Sequence, residues 1–174
     1  STLVAGAVVA PACSGPTPGL HEVTIDGGGA QYAVRIVVPS SFSSTRLPVV
    51  IGFHGLGSTG ADQARLSGYE QLAEQEGFVA VHPTAVANSD DTRTTWQLAT
   101  PVAGTHADAH DDVAFATALI DAVVGAWCAD PARVYVTGMS NGGFFTARLV
   151  CELSDRIAAA ISGSWDSSPS SRAS

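Results

Sequence analysis

Arg133-Val134-Tyr135-Val136-Thr137-Gly138-Met139-Ser140-Asn141-Gly142-Gly143 is the stretch on which the reading of this chain turns. Its apolar, β-branched start predicts a buried strand, and the residues from Asn141 to about Leu153 predict a helix. Between them, Gly138-x-Ser140-x-Gly142 matches the G-x-S-x-G pattern of a serine held on a sharp strand-to-helix turn. Neighbours without a Cβ let the backbone fold tightly there, so that the hydroxyl projects. With 18 glycines in the chain the bare pattern is weak, and its position between strand and helix carries the weight. The helix start then offers backbone N–H groups and a positive dipole end to a developing oxyanion. A purely structural glycine turn is the alternative reading of these residues.

Working outward, the apolar run Leu47–Phe53 predicts a strand buried on both faces, and it ends in a second glycine loop, His54-Gly55-Leu56-Gly57-Ser58. If Ser140 accepts an acyl group, a second oxyanion donor should come from the loop after an earlier strand. The expected donors are therefore the N–H groups of Asn141 and Leu56, with His54 bracing the loop rather than acting as base. Strands are expected at 21–25 and 32–39 around a turn at 26–29, at 78–81, and near 157–161. A helix is expected over 61–76, with Leu66, Tyr69 and Ala73 on one face and Gly77 as its stop. A long polar loop covers 88–110. Asp111 or Asp112 then caps a helix carrying Val113, Ala116, Ile120, Val123 and Trp127 at helical spacing. This alternation predicts an α/β fold with a mostly parallel sheet flanked by helices. Ligands bind beyond the carboxyl ends of such strands, where both glycine loops lie.

The chain has 174 residues, 45% hydrophobic and only 14% charged, with a formal net charge of −8. One domain is expected over 14–166, preceded by an apolar segment at 1–13 and followed by a disordered serine-rich tail at 167–174. All eight basic residues are arginines and form no cluster, which argues against a nucleic-acid partner. No apolar run approaches the ~18 residues of a membrane-spanning helix. Ala10-Pro11-Ala12 has the small-x-small spacing of an export-signal cleavage site, although the segment could equally lie on the core. With the low charge and the absence of lysine, it predicts secretion. Three cysteines are too few for a disulfide scaffold, and buried free thiols are one reading of them. His106-Ala-Asp108-Ala-His110-Asp111-Asp112 holds metal-capable side chains, but a polar loop ending in a helix cap accounts for them. No metal and no cofactor are expected.

Three stretches then become recognisable: the strand into His54-Gly55, Asp111-Asp112-Val113-Ala114-Phe115, and residues 133–143. They resemble secreted α/β-hydrolase esterases of the polyhydroxybutyrate depolymerase, feruloyl esterase and acetylxylan esterase group. The likeness runs from about His21 to Trp165. It implies an α/β-hydrolase fold and a serine carboxylesterase-type hydrolase acting on polyester, feruloyl or acetyl esters. It also implies that Ser140 is the acyl-accepting nucleophile and that Cys128 and Cys151 form a disulfide. Trp96 would correspond to an aromatic beside the substrate cleft, against which an ordinary packed tryptophan stands as the other reading.

The chain departs from that pattern in one respect. In these hydrolases the acid and then the histidine follow the serine along the chain. Here Asp155 and Asp166 are the only aspartates after Ser140, and His21, His54, His82, His106 and His110 all precede it. Three expectations stay open. The sheet is truncated after the strand that follows the serine's helix, and self-association or a completing C-terminal segment supplies the rest. Alternatively, His106 or His110 is recruited as base. Otherwise the domain binds without turnover.

Overall fold

Two adjacent glycines begin the sheet. Gly28 and Gly29 have φ of 56° and 85°, a left-handed pair that glycine adopts at low cost and that suits a two-residue hairpin. The computed structural model describes residues 13, 15–88, 91–98 and 110–163. The hairpin joins β1 (Gly19–Gly27) to β2 (Ala30–Val38), with Gly27 opposite Ala30. There follow β3 (Leu47–Phe53), α1 (Gly60–Ser67), α2 (Tyr69–Glu76) and β4 (Val79–Pro83). A small antiparallel pair, β5 (Ala87–Asn88) and β6 (Asp91–Thr94), precedes α3 (Asp112–Ala126), β7 (Ala129–Met139), α4 (Asn141–Glu152) and β8 (Ala159–Gly163).

The main sheet runs β1-β2-β4-β3-β7-β8. β1, β2 and β4 are paired antiparallel, whereas β4, β3, β7 and β8 are parallel neighbours. The expected α/β fold, with a mostly parallel sheet flanked by helices, is the fold observed. Its two faces are distinct. One packs Ile36, Val49, Ile51, Val81 and Val136 under Phe115, Leu119 and Val123 of α3 and Phe145 and Leu149 of α4. The other carries a smaller cluster in which Ala73 and Tyr69 of α2 meet Val37, Val50, Phe78 and Ala80. Strands leave β3 in both directions, to β4 and to β7, so the carboxyl ends of β3 and β7 border the crevice where such sheets bind ligands.

Several expectations are corrected. The helix over 61–76 is two helices, because Gly68 at φ 67° ends α1 and starts α2 on a new axis. The turn moves Leu66 to the surface, 55% exposed, while Gln63 and Ala64 take the buried positions of α1. The loop over 88–110 contains β6 and an ordered stretch to Leu98. Asp111 is the cap of α3, its carboxylate accepting from the N–H groups of Val113 and Ala114, and Asp112 is the first helical residue, fully buried. Of the apolar segment expected at 1–13 only Cys13 is described; residues 1–12, with the export-signal spacing, Asp166 and the tail at 167–174 lie outside the described residues.

The disulfide is also corrected: Cys128 is bonded to Cys13, and Cys151 is a free, exposed thiol. The reason is where each cysteine falls. Cys151 lies on the outer face of the last turn of α4, whereas Cys128 is fully buried between α3 and β7. The chain around Cys13 is held against that point, its N–H donating to Ser44 O, and Gly15 packs so closely on Cys128 Sγ that a Cβ would collide with it. The bond links residues 115 apart. Loop-closure entropy assigns such a link about 4 to 5 kcal/mol of stability. Alkylation of the native, unreduced protein should therefore label Cys151 alone, and reduction should lower the melting temperature sharply. A cross-linked peptide containing Cys151 would contradict the assignment.

His82 on β4 is fully buried, its ring stacked on Tyr69 and its Nε2 3.5 Å from Ser67 Oγ. Nδ1 has no hydrogen-bond partner among the described residues. Burial pushes its pKa down from 6.5 to about 4, so the folded state binds the proton less readily than the unfolded chain. The stability this group contributes is complete above about pH 6.5 and is lost on acidification toward pH 4, on the order of 3 kcal/mol over that window. Urea unfolding of wild type and His82→Gln between pH 7 and pH 4 should show a shallower pH dependence in the variant. Parallel curves would remove His82 from the account.

Candidate active site

Ser140 stands where β7 runs into α4, and its backbone has φ 53° and ψ −120°, a combination sparsely populated by residues with a Cβ. Strain of this kind costs about 1–3 kcal/mol and persists only where the surroundings enforce it. The two flanking glycines are what enforce it. A Cβ on Gly138 would collide with the carbonyl of Gly142 and come within 2.7 Å of Thr146 Oγ1. A Cβ on Gly142 would collide with the carbonyl oxygens of Phe53 and His54 at the end of β3. Gly143 lies against the end of β8, where a Cβ would stand 2.8 Å from Gly163 O, and Ser140 N–H donates to that same oxygen at 2.9 Å. The strand–serine–helix turn thus packs backbone against backbone on two neighbouring strands, and Ser140 itself is exposed.

The second glycine loop comes directly alongside. A Cβ on Gly55 would lie 3.5 Å from both Ser140 Cβ and Met139 O, so Leu56 follows a residue already in contact with the serine. The Asn141 N–H belongs to the first turn of α4, whose leading N–H groups have no intrahelical partners and carry the positive end of the dipole. Asn141 and Leu56 are therefore brought to the same edge of the sheet as Ser140, on either side of the β3–β7 crevice.

His54 is fully buried beneath this loop. Its Nε2 accepts from Ala85 N–H at 2.9 Å, which places the proton on Nδ1, and Nδ1 donates to Gly55 O at 2.7 Å. Burial lowers its pKa and keeps the ring neutral. Both nitrogens are occupied in holding the loop, so His54 is a brace. Trp96, 1% exposed, is a packed tryptophan: its Nε1–H donates to His54 O at 3.0 Å, and its ring stacks on Phe145 and meets Phe53 edge-on. Its backbone is clamped by the Asn141 side chain, with Trp96 N–H donating to Asn141 Oδ1 at 2.8 Å and Asn141 Nδ2–H donating to Trp96 O at 3.2 Å. This clamp was not legible in the sequence, since nothing in the spacing of Trp96 and Asn141 predicts it.

The remaining titratable groups lie elsewhere. His110 is buried with its Nε2 3.3 Å from Asp112 Oδ1, and His82 faces α1 and α2. His21 reaches Thr17 O at the far edge of the sheet. Asp155 follows the C-terminal end of α4, a helix of 12 residues, and is thus about 18 Å of helix from Ser140. His106, Asp108 and Asp166 lie outside the described residues. Among the described residues no group of three or more His, Cys, Asp or Glu side chains could hold a metal.

With this geometry in place, comparison with known proteins is direct. The Esterase PHB depolymerase family profile matches residues 31–165. Acetylxylan esterase A of Emericella nidulans is 31% identical over 150 residues, which are 84% of this chain and 47% of that protein. Feruloyl esterase B of Neurospora crassa is 26% identical over 136 residues, 78% of this chain and 44% of that one. Among solved structures, an acetyl xylan esterase from Aspergillus awamori superposes with a TM-score of 0.66 at 23% identity, covering 82% of this chain and 50% of its own. The chain thus spans about half the length of the relatives it matches. The match begins within β2 and runs past β8, taking in both glycine loops, and the chain belongs to the esterase PHB depolymerase family.

Proposed function

We propose that this chain is the serine-bearing part of a carboxylic ester hydrolase that works through an acyl-enzyme on Ser140. The observation that carries the reading is the exposed Ser140 at φ 53°, held by Gly138 and Gly142 against the end of β3. In the reaction, Ser140 Oγ attacks the ester carbonyl carbon as its proton passes to a histidine base. The carbonyl oxygen becomes an oxyanion that accepts hydrogen bonds from the Asn141 and Leu56 N–H groups. Collapse expels the alcohol, which takes up the proton from the histidine. Water then attacks the acyl-serine by the same route in reverse, releasing the acid. Leu56, the residue after Gly55, and Phe144, whose N–H donates to Ser140 O, are 48% and 63% exposed, apolar side chains that suit an uncharged acyl or aryl group, as in acetyl, feruloyl or polyester substrates. No cofactor enters this scheme.

The base is assigned to a histidine outside the described residues, either His106 or one on a completing polypeptide. An apolar surface beside β8 supports that reading. Ile161 on β8 is 70% exposed, and with Tyr135, Leu72, Phe78 and Ala159 it lines an apolar groove of about 230 Å³. β8 has no further strand beyond it among the described residues, and an unpaired edge of this kind invites another. Secretion belongs to the same proposal, supported by the Cys13–Cys128 disulfide, which suits an oxidising compartment.

Hydrolysis of p-nitrophenyl acetate should fall by about 10³-fold or more in Ser140→Ala, the scale of loss when a catalytic serine is removed. A chelator should leave the wild-type rate unchanged. Equal rates in wild type and Ser140→Ala would contradict the enzyme reading and favour a hydrolase-like binding domain. For the edge, sedimentation should show association that rises with concentration and is weakened in Ile161→Lys. A monomer whose β8 amides are already protected from exchange would contradict it.

A further inference from the structure

The geometry points to Asp112 as a positioning residue that fixes both halves of the oxyanion site through the Trp96–Gln97 segment. This inference rests on the ester-hydrolase reading for its consequence and on the hydrogen bonds alone for its structure. Asp112 is fully buried, an expensive place for a carboxylate unless its oxygens are satisfied. Both are. Tyr32 Oη–H donates to Oδ1 at 2.6 Å, and the backbone N–H of Gln97 donates to Oδ2 at 2.7 Å. His110 Nε2 lies 3.3 Å from Oδ1. Burial and the adjacent carboxylate hold the Tyr32 hydroxyl protonated, well above the usual phenol range, so it remains a donor at every working pH.

A helix cap does not explain this carboxylate, since Asp111 already caps α3. What Asp112 holds is the segment next to the serine. Gln97 is pinned by Asp112 through its N–H and by Arg148 Nη1–H through its carbonyl, at 2.9 Å. The preceding residue, Trp96, then grips the two chains that carry the expected oxyanion donors. Its indole N–H holds His54 O on the loop that leads to Leu56, and its backbone clamps the Asn141 side chain at the start of α4. Tyr32 completes the support from the other side, its ring stacked on Phe115 of α3 and parallel to Trp96. A carboxylate on α3 thereby sets the separation of two backbone donors on different loops, with no direct contact to either.

The test compares Asp112→Asn with Asp111→Ala, using the chain as it is. Asn at 112 has one oxygen where two donors converge: if that oxygen accepts from the Gln97 N–H, its Nδ2–H group faces Tyr32 Oη, which must turn from donor to acceptor, and both charge-assisted bonds are lost. Asp111→Ala removes the cap of α3 and leaves Gln97 untouched. Two readouts are needed: kcat and KM for p-nitrophenyl acetate, and the ¹⁵N–¹H position and hydrogen exchange of the Asn141 and Leu56 amides. Asp112→Asn should lower kcat by about tenfold or more with KM within about twofold, as expected when oxyanion donors are misplaced rather than removed. It should also shift the Asn141 amide and speed its exchange. Asp111→Ala should leave both readouts unchanged even where it lowers the melting temperature as much. If Asp112→Asn does not fold, Tyr32→Phe removes one donor and keeps the ring stack, and the same Asn141 shift is expected at smaller size. An unmoved Asn141 amide in the folded variant, or equal kcat losses in Asp112→Asn and Asp111→Ala, would overturn the proposal. If wild type shows no Ser140-dependent turnover, the ester-hydrolase reading fails, and the amide readout alone decides the positioning.

Discussion

The close approach of the β7–α4 turn to the end of β3 is the constraint on which the rest of this structure depends. Gly142 sits against the carbonyls of Phe53 and His54, and Gly138 against the carbonyl of Gly142, with no room for a Cβ at either position. Because those contacts are backbone on backbone, they leave no side chain free to relax. Ser140 is consequently driven to φ 53°, and the residue is left exposed at the end of the sheet. The same approach brings Gly55 up to the serine, so one packing requirement produces the exposed hydroxyl and the neighbouring loop together.

Trp96 converts that local packing into a site of fixed shape. Its ring lies among Phe53, Phe145 and Phe115, and its three backbone and indole polar groups reach His54 and Asn141. An aromatic with a satisfied N–H can be buried at low cost while tying two loops to one point. The His54 brace beneath the first loop works in the same way. In the proposed reaction this rigidity has a chemical use, since preorganised donors stabilise a developing oxyanion without reorganising at the moment of reaction.

The fold was legible because its signals were local. The run Leu47–Phe53 and the β-branched approach to Gly138 predict buried parallel strands, and the turn expected at 26–29 is a hairpin, shortened to Gly28-Gly29 because Asp26 and Gly27 continue β1. The break at Gly68 was missed because apolar spacing continues across it, and a left-handed glycine overrides periodicity without changing it. The Cys13–Cys128 bond was missed for a different reason. Disulfide partners are set by where separate elements meet in space, and residues 115 apart carry no spacing signal. The network of Tyr32, Asp112, Gln97 and Arg148 was hidden for the same reason: its members lie on four different segments and meet only after the sheet has formed.

The chain spans about half the length of these relatives, and an apolar groove lies beside β8. What the described residues show is a strained, exposed serine with a second glycine loop against it; the proposed ester hydrolysis assigns its base to a histidine outside the described residues. The most direct test of the central claim is to mix the protein with p-nitrophenyl acetate, quench in acid, and map the product by peptide mass spectrometry. One acetyl group on the peptide containing Ser140, absent in Ser140→Ala, is the predicted result. An unmodified Ser140 peptide, or acetyl carried on another residue in both proteins, would contradict it.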